Sequence, residues 1–156
     1  MILVDANIAL YAYDATSPHH EAARTWFEEV LNGDEEVDFA LASLLAFLRI
    51  STNPAVFRRP LRVSEAIGIV TGWLGRPNVR TAVPTERHWA TLDEVATGGQ
   101  ARGPLIMDAH LAALALERGA TLATSDRDFA RFTRLRLVDR STERADADPT
   151  ASSPEA

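Results

Sequence analysis

Ile2-Leu3-Val4-Asp5-Ala6-Asn7 runs from an apolar triplet straight into a carboxylate, and a helical pattern follows at once from about Asn7 to Tyr13. The triplet reads as a short buried strand, because a run apolar on both alternating faces suits a strand covered on both sides. Two later stretches share this grammar. Asp108 lies in Ile106-Met107-Asp108-Ala109-His110, and Asp126 follows the apolar Thr121–Ala123 in Ala123-Thr124-Ser125-Asp126-Arg127-Asp128. A carboxylate beside apolar surface is costly unless something pairs with it. In a parallel α/β fold the loops after the strands converge on one edge of the sheet, so distant acids can meet there. Two carboxylates about 4 Å apart repel by on the order of 4 kcal/mol near a protein surface, and a divalent cation relieves that most simply. Oxygen ligands favour Mg²⁺, with Mn²⁺ as the alternative.

Outward from these stretches, strand and helix patterns alternate. Apolar spacing predicts a helix from Glu21 to Leu31 after Pro18, a second strand at Phe39 to Leu41, and a helix from Ser43 to Ile50 that Asn53-Pro54 stops. A helix over Val63 to Leu74 runs through Gly68 and Gly72, Val79 to Ala82 reads as a strand, and Glu86 to Val95 is amphipathic. Leu105 to Arg118 is a strongly apolar helix with Gly119 as its C-cap, and Leu135 to Val138 is the last strand. Such alternation implies one α/β domain over residues 1–138, a short, mostly parallel sheet with helices on both faces. Residues 139–156, rich in charge, Pro, Ser and Ala, read as a disordered tail.

Composition narrows the chemistry. A chain of 156 residues suits a single domain. It contains no cysteine, which removes disulfides, thiolate catalysis and cysteine zinc sites. All sixteen basic residues are arginine, which removes Schiff-base chemistry and the P-loop, although GC-rich coding also accounts for the bias. No apolar run approaches the roughly 20 residues that span a bilayer, and no signal segment is evident, so a cytoplasmic protein without a membrane partner is expected. The net charge of −6 argues weakly against nucleic acid, but the acids cluster at Glu28, Glu29, Asp34, Glu35, Glu36 and Asp38, while arginines gather from Arg58 to Arg87.

Each acid also has a purely structural reading. Asp5 and Asp126 are good helix N-caps. Asp108 gains from the helix dipole in a first turn, yet borders the core, which favours a functional role. Asp128 reads as a first-turn surface acid. His19 and His20 read as solvated, and His88 and His110, without partners at zinc spacing, as structural.

Four segments now form a recognisable set: Val4-Asp5-Ala6-Asn7, Phe47-Leu48-Arg49-Ile50-Ser51-Thr52-Asn53-Pro54, Asp108-Ala109-His110-Leu111-Ala112-Ala113 and Ala123-Thr124-Ser125-Asp126-Arg127-Asp128-Phe129. Together they resemble the PIN-domain ribonucleases, and within them the VapC toxins of bacterial toxin–antitoxin pairs. The resemblance spans Met1 to Val138. It implies a Mg²⁺-dependent endoribonuclease that cleaves structured RNA and is silenced by a VapB-type antitoxin. It carries Asp5, Asp108 and Asp126 over as the catalytic, metal-binding acids, with Asn7 and Thr124 as supporting groups and Asp128 as a further group near them. The family usually has a glutamate on the helix before the Leu-Arg pair, where this chain has Ala46. The site is then short of one ligand, and either water fills the gap or catalysis is impaired and antitoxin binding becomes the main activity. Arg49, one turn along, is placed to approach the scissile phosphate.

A phospho-acceptor receiver domain needs a lysine that this chain lacks, and a haloacid-type phosphatase needs an aspartate where Asn7 stands. A homodimer is also expected, with the apolar faces around Trp26, Phe27 and Trp73 suiting either an interface or core packing.

Overall fold

The computed structural model describes residues 1–142. Five strands, β1 (Ile2–Val4), β2 (Val37–Ala40), β3 (Val79–Ala82), β4 (Thr121–Ala123) and β5 (Arg136–Val138), form one sheet in the order β3-β2-β1-β4-β5. Every pairing is parallel, so the mostly parallel sheet of the sequence reading is wholly so. Six helices alternate with the strands: α1 (Ala6–Tyr13), α2 (His20–Asn32), α3 (Leu41–Ser51), α4 (Val63–Leu74), α5 (His88–Gly98) and α6 (Leu105–Arg118). A 3-10 helix spans Arg127–Arg131.

Strand alternation sorts the core into two halves. Ile2, Val4, Phe39 and Ala123 point to one face, where they pack with Ile8 of α1, Phe27 of α2, Phe47 of α3 and Trp73 of α4. Leu3, Ala40 and Leu122 point to the other, against Leu111, Ala112 and Leu114 of α6 and Phe129 of the 3-10 helix. Trp73 stacks on Phe39 at 5.4 Å between ring centroids, and Phe27 meets Trp73 edge-on at 5.1 Å. Phe27 and Trp73 are therefore core residues, and the apolar face expected around them is not an exposed one.

Several boundaries differ from those read in the sequence. The second strand ends at Ala40, and Leu41 opens α3 with no side-chain cap, so an apolar run carries the chain from strand to helix without punctuation. Thr85 accepts a hydrogen bond from the Arg87 backbone N–H and delays α5 to His88, while its end extends to Gly98. Gly68 and Gly72 do not interrupt α4. Gly119 caps α6 in the left-handed conformation at φ 63°, as expected. Asp38, counted in the sequence with the acidic cluster, is a buried β2 residue paired with Arg118.

Beyond Val138, Ser141 is buried and its carbonyl meets His19 Nδ1 at 3.0 Å, so the start of the expected tail packs on the domain. The rest of that segment, residues 143–156, lies outside the described residues. His19 and His20 are likewise not simply solvated, since His20 Nδ1 pairs with the Tyr11 carbonyl at 2.9 Å. No helix among the described residues is long and apolar enough to cross a membrane.

Candidate active site

The strand order places the site. The chain winds outward from β1 to β2 and β3, then returns to β4 on the other side of β1. Neighbouring loops leave the sheet in opposite directions at such a switch point, and a crevice opens between them at the carboxyl ends of the strands. Val4 is in register with Ala123, so Asp5 and Thr124 emerge side by side, and the Asp5 N–H donates to the Ala123 carbonyl at 3.0 Å.

Asp5 stands at the N-cap of α1 with extended backbone, yet its side chain makes no cap hydrogen bond. Thr124 Oγ1 instead donates to Asp5 Oδ2 at 2.7 Å. The same hydroxyl oxygen accepts from Asn7 Nδ2 at 3.1 Å and from the Asp126 backbone N–H at 3.0 Å. Asn7 Oδ1 takes a long hydrogen bond from the Ser125 N–H at 3.4 Å. Thr124 is thus a buried hub that ties the β1 end to the β4 end.

Burial pushes the Asp5 carboxyl up from 3.8 to about 6, opposed by its hydrogen bonds from Thr124 and the Ala6 backbone and assisted by the charges of Asp108 and Asp126. Asp108, half-buried in the first turn of α6, is also raised, by burial first and then by Asp126 and Asp128, against the pull of Arg131. The three acids of the sequence reading therefore share one electrostatic neighbourhood. Asp126 keeps its capping role as well, accepting from the Asp128 N–H at 2.8 Å. Asp128 is exposed and pairs with Arg131 at 3.3 Å, a surface acid at the rim.

Asp5 and Asp108 line a cleft of about 660 Å³ together with Ala46, Arg49 and His110. Apart from Ser43 its remaining wall is apolar, and Leu41, Leu45 and Met107 are more than half exposed there. Ala46 thus stands at the cleft and offers no oxygen. The carboxylate donors suit a hard divalent cation. Among the described residues, however, no three His, Asp or Glu side chains converge closely enough to enclose one. A cation here would be held by few protein oxygens, which suits Mg²⁺, an ion that usually keeps several waters.

Sequence reasoning missed one constellation. His88 Nδ1 lies 3.0 Å from Glu117 Oε2, and His88 Nε2 lies 2.9 Å from His110 Nδ1. Thr85 Oγ1 donates to Glu117 Oε1 at 2.8 Å. Burial works against the Glu117 charge, but the His88 and Thr85 hydrogen bonds outweigh it and hold the carboxyl below its ordinary value. Burial and the neighbouring His88 charge lower His110, while Glu117 acts in the opposite sense. No sequence spacing announces this chain of contacts, because it depends on α5 packing against α6.

A wholly parallel sheet with helices on both faces, and a cleft beside its switch point that Asp5 and Asp108 line, defines an α/β protein. The PIN domain family model matches residues 2–135, and the chain belongs to that family. It is 42% identical over 136 residues to ribonuclease VapC37 of Mycobacterium tuberculosis, covering 87% of this chain and 94% of that one. Against VapC ribonuclease Mb2897 of Mycobacterium bovis it is 40% identical, covering 87% and 92%. Among solved structures it is similar to VapBC2 of Rickettsia felis bound to a promoter DNA fragment (TM-score 0.63, 18% identity, 89% and 98% covered). It also resembles M. tuberculosis VapC20, described as a sarcin-ricin loop cleaving toxin, with TM-score 0.63 and 18% identity over 87% and 99% of the two chains. These two likenesses concern the fold.

Proposed function

We propose that this chain is the toxin of a toxin–antitoxin pair, an endoribonuclease that hydrolyses phosphodiester bonds of structured RNA with Mg²⁺ or Mn²⁺. The observation that carries the reading is Asp5: it holds a capping position but spends its carboxylate on the cleft. Relatives that are VapC ribonucleases at about 40% identity support the same assignment. When bound, the cation lowers the pKa of a water and offsets charge on the attacked phosphate. Asp5 and Asp108 would hold it, and Asp126, outside the cleft lining but close enough for its charge to act on both, would supply a further carboxylate. Thr124 fixes the Asp5 carboxylate, and Asn7 braces Thr124. Arg49, exposed on the cleft wall, contributes a permanent cation to the incoming phosphate.

The apolar wall at Leu41, Leu45 and Met107 suits an amphipathic segment of a VapB-type antitoxin, with an arginine reaching the acids beyond it. A second reading rests on Ala46. Its place in the cleft removes an oxygen from the site, which favours weak catalysis with antitoxin binding as the main activity.

Incubation of the purified chain with total RNA, with and without Mg²⁺, followed by sequencing of new ends, tests both. Metal-dependent cuts at defined sites that vanish in Asp108→Asn support the nuclease. Binding of the antitoxin without any cleavage supports the second reading. Cuts that persist in Asp108→Asn and in chelator would overturn the site assignment.

A further inference from the structure

The helix α3 begins without a cap, and its first turn opens on the cleft. Ala40 holds the N-cap position with no side-chain oxygen to offer, and the first turn carries no acidic residue. The leading N–H groups of a helix have no partner within it, and the aligned peptide dipoles put positive potential there. Val4 is in register with Phe39, so Asp5 and Ala40 leave the sheet side by side. Leu41, Ala42 and Ser43, the first three residues of α3, all line the cleft with Asp5 and Asp108. The Asp5 carboxylate does not answer that turn, because its hydrogen bonds come from Thr124 and the Ala6 backbone.

Ser43 is a second and independent sign. It is 6% exposed, and no described residue hydrogen-bonds its hydroxyl. That oxygen is not among the described side-chain atoms sealed from solvent without a partner, so the small exposed surface includes it. A nearly buried hydroxyl left unpaired is costly, and the open side of this one is the cleft. The hydroxyl and the uncapped N–H groups on the same turn are all able to donate, and together they suit an anion with several oxygens.

We propose that the first turn of α3 is a phosphate site, where Ser43 Oγ and the N–H groups of Ala42 and Ser43 donate to one backbone phosphate of the RNA strand. The site rests on the ribonuclease reading and adds to it the place where the strand is gripped. Contacts from hydroxyls and helix N-termini to phosphate fix the position of a strand without reading its bases. Arg49 follows six residues later, about 9 Å along the helix axis, and lines the same cleft, so α3 offers the strand a neutral grip and then a charged one.

The test uses the full chain carrying Asp108→Asn, which under the ribonuclease reading binds RNA without cutting it. The probe is a short RNA spanning a site located by sequencing the ends that the wild type leaves in total RNA. Its addition to nitrogen-15-labelled protein is expected to move the Ala42 and Ser43 amide resonances. Each phosphate of the probe is then replaced in turn by an uncharged methylphosphonate, with the adjoining sugar deoxy in probe and control alike. One position is expected to weaken binding about tenfold by fluorescence anisotropy, the scale of a hydrogen bond to a charged group. Ser43→Ala should weaken binding of the all-phosphate probe by a similar factor and lose most of the response at that position. Ser43→Thr, which keeps a hydroxyl, should retain it. The amide shifts need no change at position 43, so they decide the matter even if Ser43→Ala folds poorly.

Methylphosphonate penalties that are the same with Ser43 and with Ser43→Ala would overturn the phosphate site, while cleavage by the wild type leaves the nuclease standing. Inorganic phosphate that moves the two amides when RNA moves neither would assign the turn to a free anion and overturn the strand contact. Absence of both cleavage by the wild type and RNA binding by Asp108→Asn would overturn the ribonuclease reading and the site with it.

Discussion

Thr124 Oγ1 donates a 2.7 Å hydrogen bond to Asp5 Oδ2 across 119 residues of sequence. This contact draws the Asp5 carboxylate from its helix-capping position into the cleft, where burial and the acids at 108 and 126 raise it to about 6. A carboxyl held above its unfolded value of 3.8 favours folding at low pH. That contribution is complete below 3.8 and is lost as pH rises through about 6.

Asp5→Asn is therefore expected to abolish Mg²⁺-dependent cleavage and to leave metal-free stability at pH 8 unchanged or higher. The rise from 3.8 to about 6 corresponds to roughly 3 kcal/mol of destabilisation at alkaline pH, part of which the Thr124 contact still requires. Thermal melts at pH 5 and pH 8 without metal measure it. The wild type should gain stability relative to Asp5→Asn at the lower pH. A large drop for Asp5→Asn at pH 8 would identify Asp5 as a structural group.

Ala46→Glu should tighten Mg²⁺ or Mn²⁺ binding, because Ala46 shares the cleft with Asp5 and Asp108 and an added anionic oxygen strengthens a hard-cation site. Titration calorimetry of wild type, Ala46→Glu and Asp108→Asn should rank their affinities in the order Ala46→Glu, wild type, Asp108→Asn. Equal affinity of wild type and Ala46→Glu would show that a side chain at 46 does not reach the cation.

Expression of the chain alone should impair growth, and a small partner encoded beside it should restore it. The partner is expected to place an arginine among the acids, since an anionic cleft attracts a guanidinium. Replacing that arginine by alanine should weaken the complex about tenfold or more, measured by calorimetry. Harmless expression with no adjacent small reading frame counts against the toxin.

Arg118→Met should destabilise the fold by about 3 kcal/mol or more, because it leaves the Asp38 carboxylate buried without its partner. Asp38 is 1% exposed, and its Oδ1 already has no protein partner. Urea melts should show the double variant Asp38→Leu/Arg118→Met closer to wild type than Arg118→Met alone. The reverse order would mean that the pair stabilises the fold by more than its desolvation cost.

Two glycines should respond with opposite sign. A Cβ at Gly99 would lie 2.6 Å from the Phe132 ring, so Gly99→Ala is expected to cost about 1–3 kcal/mol by overpacking. A Cβ at Gly68 meets nothing within 4 Å, so Gly68→Ala should add about 0.5–1 kcal/mol through helix propensity. Denaturant midpoints of the two variants should move in opposite directions.

The succession of strands and helices was legible in the sequence because backbone elements obey local periods. Apolar triplets such as Ile2–Val4 announce strands covered on both sides, and Gly119 announces the end of α6. The boundary at Leu41 was not, since an unbroken apolar run gives no cap at which to divide strand from helix. Asp5, Asp108 and Asp126 were readable as candidates by their places after apolar stretches, and the parallel order of the sheet brings them near one another. Only the tertiary structure decided what each contact does. The register of β1 beside β4 sets Thr124 against Asp5, the packing of α5 on α6 joins His88 to His110, and Arg118 pairs with Asp38, one of the clustered acids of the sequence, in the interior. Local sequence specifies how a segment folds and which of its faces is apolar. Which distant polar groups meet depends on how those faces stack, and no short-range pattern encodes that.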